Sequence, residues 1–186
     1  MKIKTNLFLL LLSLLFISLI LYAQDKQRIY VGTRKCKTCH KKEKIGNQYK
    51  VWKESKHAEA YKTLLTEKAD SISLSLDNIK KAVENQKCLK CHVTAYDADK
   101  SLLGKKYKKE DGIGCESCHG AGKGYSKKKI MKKHELAVQN GLVEYKDEAD
   151  IEKQCKTCHN EDSPTYKEFD FKKRWEDIKH PIPEKK

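Results

Sequence analysis

The residues that build an ordinary hydrophobic core are scarce in this chain once its first 22 residues are left aside. The 186 residues include only four Phe, two Trp and two Met, while 35% of them are charged. Leu, Val and Ile are also sparse beyond the apolar N-terminal run. A domain of about 160 residues with so little apolar area needs a further source of buried surface, which is worth about 25 cal/mol per Å². We therefore expect a bound apolar group to supply much of the core.

Several functional motifs are absent as well. We find no nucleotide-binding loop, hydrolase elbow or paired-carboxylate motif, and no cysteine is left over from a repeated pattern. All eight cysteines belong to four copies of Cys-x-x-Cys-His, which is the attachment signature of c-type haem. The four copies comprise Cys36, Cys39 and His40, then Cys88, Cys91 and His92, then Cys115, Cys118 and His119, and finally Cys155, Cys158 and His159.

This signature suits haem because two thiols about one turn apart can form thioethers to one porphyrin, and the following His can bind its iron. Paired Cys-x-x-Cys is also typical of structural zinc sites, and disulfides are a third possibility. With seven His in the chain, chance would place one after all four pairs roughly twice in a million sequences. Zinc sites have no need of that residue. The sequence therefore predicts four covalently attached haem c groups.

Four porphyrins also account for the composition and the charge. They would act as the core, so we expect the haem-free chain to be largely unfolded. The formal charge is +14, but eight haem propionates and the loss of two leader lysines would reduce it to roughly +4. Nucleic acid is therefore not an expected partner. The lysines are expected to offset propionates, solvate the surface and steer acidic redox partners.

The N-terminus has the pattern of an export signal. Lys2 and Lys4 precede an apolar run from Leu7 to Tyr22, and a polar segment begins at Gln24. We predict a signal peptide over residues 1–23, a single tetrahaem domain over 24–186, and a periplasmic location. An uncleaved membrane anchor is the alternative, although sixteen apolar residues are short for a membrane span.

The predicted fold is mainly α-helical, with short helices, long loops and little β-structure around the haems. The four motifs are irregularly spaced, and each is expected to end a short helix or form a helical turn. Helices are also predicted over 41–68 with a break at Gly46, over 77–87 with Asp77 as N-cap, from Ser126 to Asn140, and over 147–158. Residues 93–114 are expected to be a loop with a short hairpin around Tyr96 and Tyr107.

Three further histidines remain once His40, His92, His119 and His159 are taken as proximal iron ligands. They are His57, His134 and His180, and we predict that all three are distal ligands. Met131 lies three residues before His134 and is a weaker competitor for that role. Three distal histidines for four haems leave one iron without a second His.

The chain resembles the tetrahaem cytochrome c-554 family. The similarity is carried by Tyr-Val-Gly at 30–32, Trp-Lys-Glu-Ser-Lys-His-Ala-Glu-Ala at 52–60, and Gly-Ile-Gly-Cys-Glu-Ser-Cys-His-Gly-Ala-Gly at 112–122. His134 and Ser163-Pro164 follow in the same order. The resemblance implies a mainly α-helical fold around four closely packed haems. It also implies that His134 ligates the first iron, His57 the third and His180 the fourth.

The same resemblance implies that the second haem, held by His92, is five-coordinate, with Pro164-Thr165-Tyr166 over its open face. We therefore expect an electron carrier whose partners are a periplasmic oxidoreductase or a membrane-bound quinone-linked enzyme. No catalytic residue is assigned. The alternative function is reduction or binding of a small molecule such as nitric oxide at the iron held by His92.

Overall fold

Short helices dominate the computed structural model, which describes residues 12–13 and 28–182. The α-helices beyond residue 28, in chain order, are α1 (Thr33–His40), α2 (Gln48–Glu54), α3 (Ala60–Thr63), α4 (Glu67–Asp77), α5 (Gln86–His92), α6 (Cys115–His119), α7 (Lys128–Met131), α8 (His134–Gln139), α9 (Glu148–Cys155) and α10 (Phe171–Ile178). Turns of 3₁₀-helix lie at Glu43–Ile45, Lys56–Glu59, Ala82–Glu84, Lys100–Leu102 and Lys109–Asp111. Within the described residues the only β-pairing is a parallel bridge between Tyr30 and Leu103. The predicted mainly α fold is confirmed.

The predicted export signal falls almost entirely outside the described residues, of which it includes only Leu12 and Ser13. In residues 12–13 and 28–182, we find no helix with the length and apolar character that a membrane crossing requires.

The long helix predicted over 41–68 is interrupted at 46–47, at 55 and at 64–66 before α4 begins. Gly46 has φ 96° and ends the first 3₁₀ turn, as expected for a residue without a Cβ. Ser55 is extended, at φ −83° and ψ 160°, and its hydroxyl donates a 2.7 Å hydrogen bond to the Trp52 carbonyl. A side chain that bonds a carbonyl of the last turn competes with the helix ladder. The residues after Ser55 therefore turn away and carry His57 toward the interior.

The prediction that a helix begins at Asp77 is wrong, because Asp77 is the last residue of α4. Asn78 adopts the left-handed conformation, with φ 57°, and closes that helix. The Asp77 carboxylate instead accepts hydrogen bonds from Asn85 Nδ2 at 3.0 Å and from Lys87 Nζ at 2.5 Å. Asn85 is the residue that caps the next helix, α5, by accepting from the Lys87 amide.

Two other predictions need correction. The single helix from Ser126 to Asn140 is divided into α7 and α8, because Lys133 is extended, at φ −119° and ψ 104°. The end at Gly141 is as predicted, with φ 99°. Residues 93–114 are a loop with two 3₁₀ turns, but no hairpin forms. Tyr107 instead donates its hydroxyl to the Thr94 carbonyl at 2.5 Å.

The apolar core of the described residues is small. Its buried side chains are Trp52, Ala58, Tyr61, Leu64, Ala82, Val93, Tyr125, Ala137 and Phe171. Trp52 donates its indole N–H to the Ile113 carbonyl at 2.8 Å, and the Ile113 amide donates to the His57 carbonyl at 3.0 Å. These two bonds hold α2 and the turn that carries His57 against the segment entering α6.

Candidate functional site

The four Cys-x-x-Cys-His motifs all lie on helical turns. Helices α1, α5 and α6 each end at the His of a motif. In the fourth motif α9 ends at Cys155, and the following turn is closed by a 3.0 Å bond from the His159 amide to the Cys155 carbonyl. Residues three and four apart share one helix face, so the two thiols and the imidazole of each motif point to the same side. This is the arrangement that thioether attachment and proximal ligation require.

Two proximal histidines are oriented by hydrogen bonds at Nδ1. His92 Nδ1 lies 2.7 Å from the Ala60 carbonyl, and His40 Nδ1 lies 3.1 Å from Gln48 Oε1. Since both acceptors are oxygens, each Nδ1 donates its proton, and Nε2 is the ring nitrogen left for a metal. Metal-binding histidines are commonly oriented in this way, by a carbonyl or carboxamide at the other ring nitrogen.

Two of the three additional histidines face a proximal histidine. The ring centroids of His57 and His159 are 6.1 Å apart, and those of His119 and His180 are 5.8 Å apart. Two imidazoles that share one metal ion each place a nitrogen about 2 Å from it, which separates their centroids by roughly 6 Å. Both pairs therefore have the spacing of two axial ligands on opposite sides of one iron.

The pairing itself differs from the one that the resemblance implied. His57 lies beside His159 of the fourth motif, and His180 beside His119 of the third, so the two assignments are exchanged. The reason is visible at the C-terminus, where Gln48 Nε2 donates to the Pro181 carbonyl at 2.9 Å. This long-range contact brings the last described residues back to the first motif, and no local sequence pattern encodes it.

Burial keeps these imidazoles neutral, which is the form that binds iron. Burial lowers the pKa of His119 to about 4, with smaller contributions from His180 and His40. Burial is also the main reason why the pKa of His57, His159 and His180 is lowered. A ring that titrates below neutral pH presents a lone pair at physiological pH without first losing a proton.

His180 provides a direct test of whether the residues fit a bound group. Its Nδ1 is buried and has no hydrogen-bond partner among the described residues. An unpaired buried polar atom costs roughly 1–3 kcal/mol. A haem that meets Nδ1 itself, through its iron or through a propionate oxygen, would remove that cost. The site at His119 and His180 therefore fits a haem.

His134 differs from the other two. It is exposed, and its Nε2 lies 2.6 Å from Glu144 Oε1, so that Nδ1 is the ring nitrogen left for a metal. No other histidine ring is in contact with it within residues 28–182. Two of the three predicted distal histidines therefore lie beside a proximal histidine, whereas His134 lies at the surface.

The cysteines show which motifs are neighbours. The thiols of Cys36 and Cys115 lie close enough to shift each other's pKa, and so do those of Cys91 and Cys158. Burial, followed by the nearby thiols of Cys155 and Cys158, raises the pKa of Cys118 to about 11. The attachment segments therefore follow one another in space in the order first, third, fourth, second.

Zinc would need a closer grouping of ligands than the cysteines form. Within the part of the chain that the structure describes, no group of three His, Cys, Asp or Glu side chains is arranged to hold a metal ion. All eight cysteines are free thiols. Each motif instead offers two thiols and one imidazole, which is the set that a haem uses.

Glu116 is a central residue that motif analysis did not assign. Its side chain is buried, and its carboxylate accepts hydrogen bonds from the amides of Val31, Gly32 and Gly122, each at 2.7 Å. Burial raises its pKa, and the three amide bonds oppose that shift. Glu116 thus joins the Tyr-Val-Gly segment before α1 to the glycine-rich segment after α6. Both segments carry part of the family resemblance, and this hydrogen-bond network is the physical link between them.

Comparison with known proteins agrees with these observations. Residues 35–120 match the family model described as cytochrome c554 and c-prime. The chain is also similar to cytochrome c-554 from Nitrosomonas europaea, with 27% identity over 146 residues that cover 70% of this chain and 57% of that protein. The chain thus spans less than two thirds of that relative. No solved structure is matched.

Proposed function

Since this chain is a cytochrome of the c-554 family, whose haem c is covalently bound, we propose that it is a periplasmic tetrahaem electron carrier. Haem iron supplies one-electron chemistry by cycling between its ferrous and ferric forms. The observation that carries the proposal is the pair of facing imidazoles at His57–His159 and His119–His180. Iron held between two histidines has no open position for a substrate, which suits electron transfer.

The residues of the chain have distinct roles in this proposal. The cysteines of each motif hold one haem through thioethers, and His40, His92, His119 and His159 are the proximal ligands. Gln48 and the Ala60 carbonyl fix the tautomer of His40 and His92. His180 and His57 are the distal ligands of the third and fourth sites. His134, through Nδ1, is the proposed distal ligand of the first.

The spatial order of the attachment segments sets the proposed path of electrons. Cys36 lies near Cys115 and Cys91 near Cys158, since the thiols of each pair shift each other's pKa, and Cys155 contributes to the raised pKa of Cys118. Haems attached at neighbouring cysteines would lie close to each other. The path therefore runs through the first, third, fourth and second sites, with the first and second sites at its two ends. Redox proteins at these ends are the proposed partners, namely a periplasmic oxidoreductase and a membrane-bound quinone-linked enzyme.

A second candidate function concerns the iron held by His92. Within residues 28–182, no other histidine ring contacts His92, and the bond to Ala60 leaves its Nε2 as the only ring nitrogen for the metal. This supports a five-coordinate site that binds nitric oxide or another small ligand. The role of Pro164-Thr165-Tyr166 as its cover remains part of the proposal.

One titration separates the two functions. The fully reduced protein would be exposed to carbon monoxide, and the fraction of haem with a shifted Soret band would be measured. A carrier with a covered second site shows no shift. A shift of one haem in four, with turnover of nitric oxide in the presence of a reductant, would establish the second function instead.

A further inference from the structure

The surface between the third motif and His134 carries an unusual concentration of positive charge. Lys127, Lys128, Lys129, Lys132 and Lys133 occupy five of seven consecutive positions, and all five are exposed. We refer to these five residues as the lysine patch. Residues 123–134 include no Asp or Glu, so the patch has no acidic residue within it.

The lysines of the patch are also unpaired. None of the five forms an ion pair within residues 28–182, although Lys62, Lys81, Lys87, Lys156 and Lys179 each have an acidic partner. The charges of the patch therefore add rather than cancel. A cluster of unpaired charge of one sign projects a field that raises the rate of encounter with oppositely charged molecules by roughly 10- to 1,000-fold.

The base of the patch is well anchored. The Ser126 amide donates to the Gly122 carbonyl at 2.8 Å, and the buried Tyr125 donates its hydroxyl to the Gly120 carbonyl at 2.8 Å. On the far side, Ala137 is buried in α8. The lysines are thus presented on a fixed surface that starts directly after the third motif and ends at His134.

We propose that the lysine patch is the docking surface for an acidic redox protein that exchanges electrons at the first site. The proposal rests on the proposed electron-carrier function. The base of the patch is joined to the segment that leads into α1 and the first motif, because the Lys123 amide donates to the Ile29 carbonyl at 3.1 Å and the amides of Gly122 and Gly32 share the Glu116 carboxylate. Charge complementarity determines the encounter rate, and the rigid base holds the partner over the same haem in each encounter. The patch lies outside the matched family segment, residues 35–120.

Two variants with equal loss of charge test this assignment. The first replaces Lys127, Lys128, Lys129 and Lys132 by Gln and leaves Lys133, next to His134, in place. The matched control replaces Lys100, Lys105, Lys106 and Lys108 by Gln, which are four exposed lysines of the 93–114 loop. The probe is flavodoxin hydroquinone, a small acidic one-electron donor, and the measured quantity is its second-order rate of reducing the haem protein by stopped-flow.

At low ionic strength the patch variant is expected to react at least about tenfold more slowly than the unmodified protein, and the control less than about threefold more slowly. At high salt the three rates converge, because screening removes the field. If both variants lost the same fraction of the rate, only the net charge of the protein would matter, and the proposal would be overturned. An unchanged rate in the patch variant would do the same.

Two further measurements, of reduction potentials and of vesicle binding, test two other roles for the patch. If the lysines only compensate haem propionates, the patch variant shows shifted reduction potentials with an unchanged salt dependence. If the patch binds a membrane, it is required for cosedimentation with phosphatidylglycerol vesicles and not for the flavodoxin rate. Either result would overturn the docking proposal. Dithionite titration of the unmodified protein to four electrons per chain tests the carrier function separately.

Discussion

The imidazoles of His57 and His159 lie 6.1 Å apart, centroid to centroid, at an interplanar angle of 57°. These residues are about a hundred positions apart in the chain. The Ile113 amide holds the His57 carbonyl, and Gln154 of the fourth-motif helix donates to the Ser117 carbonyl at 3.2 Å, so both are anchored to the segment around α6. Phe169 stacks on the His159 ring at 4.5 Å and 13°. The ring of His159 is thus packed against Phe169 and lies near a second histidine.

The first prediction concerns the exchanged pairing of the distal histidines. His57→Ala and His180→Ala should each convert one low-spin haem to high-spin, measured by EPR and by the visible spectrum. In a variant without the fourth haem, Cys155→Ala with Cys158→Ala, His57→Ala should add no further high-spin haem, whereas His180→Ala should still add one. The opposite dependence would support the pairing that the family resemblance implied.

The second prediction concerns Gly112, which supports His57. Gly112 has φ 67°, and a Cβ placed there would lie 2.6 Å from the His57 carbonyl. Gly112→Ala should therefore displace His57 and raise the high-spin fraction by up to one haem. Gly141→Ala is the matched control, since it also has a positive φ, of 99°, but a Cβ there meets nothing within 4 Å. The control should lose about 1 kcal/mol of stability from backbone strain and keep its spin state. Equal spectra for the two variants would contradict the role given to Gly112.

The third prediction concerns Glu116. Glu116→Ala leaves three backbone N–H donors without their acceptor, and each buried unpaired donor costs roughly 1–3 kcal/mol. We expect the free energy of unfolding of the haem-loaded protein to fall by about 3–5 kcal/mol, measured by denaturant titration of circular dichroism. Glu116→Gln keeps one carbonyl oxygen and should lose less. A change below about 1 kcal/mol for Glu116→Ala would show that the segments are held together by other contacts.

The motifs, the helical class and much of the helix placement could be predicted from the sequence because they depend on local chemistry. Asp147 begins α9 as expected, by accepting a bond from the Asp150 amide at 3.0 Å. Asp77 is also an aspartate, but it ends a helix, because its carboxylate accepts hydrogen bonds from Asn85 and Lys87. His57 lies beside His159 and His180 beside His119 because of contacts between residues far apart in the chain. The role of Glu116 has the same origin, and these contacts join residues about 60 to 130 positions apart. Such contacts leave no periodic signal in one sequence.

The fourth prediction concerns removal of the haems. The buried apolar set includes only a few large side chains, among them Trp52, Tyr61 and Phe171. The chain expressed without the cytochrome maturation machinery should therefore be largely unfolded. Far-ultraviolet circular dichroism would show low helix content and no cooperative thermal transition. A haem-free chain with the helix content of the loaded protein would show that the side chains alone are a sufficient core.

Intact mass spectrometry of the chain, exported from a host with full cytochrome maturation machinery, counts the bound haems in one spectrum. We expect the polypeptide mass plus four covalently bound haems, with a Soret band in the same sample. The mass of the bare polypeptide, or of a chain with fewer than four haems after complete maturation, would show that the chain is not a tetrahaem cytochrome.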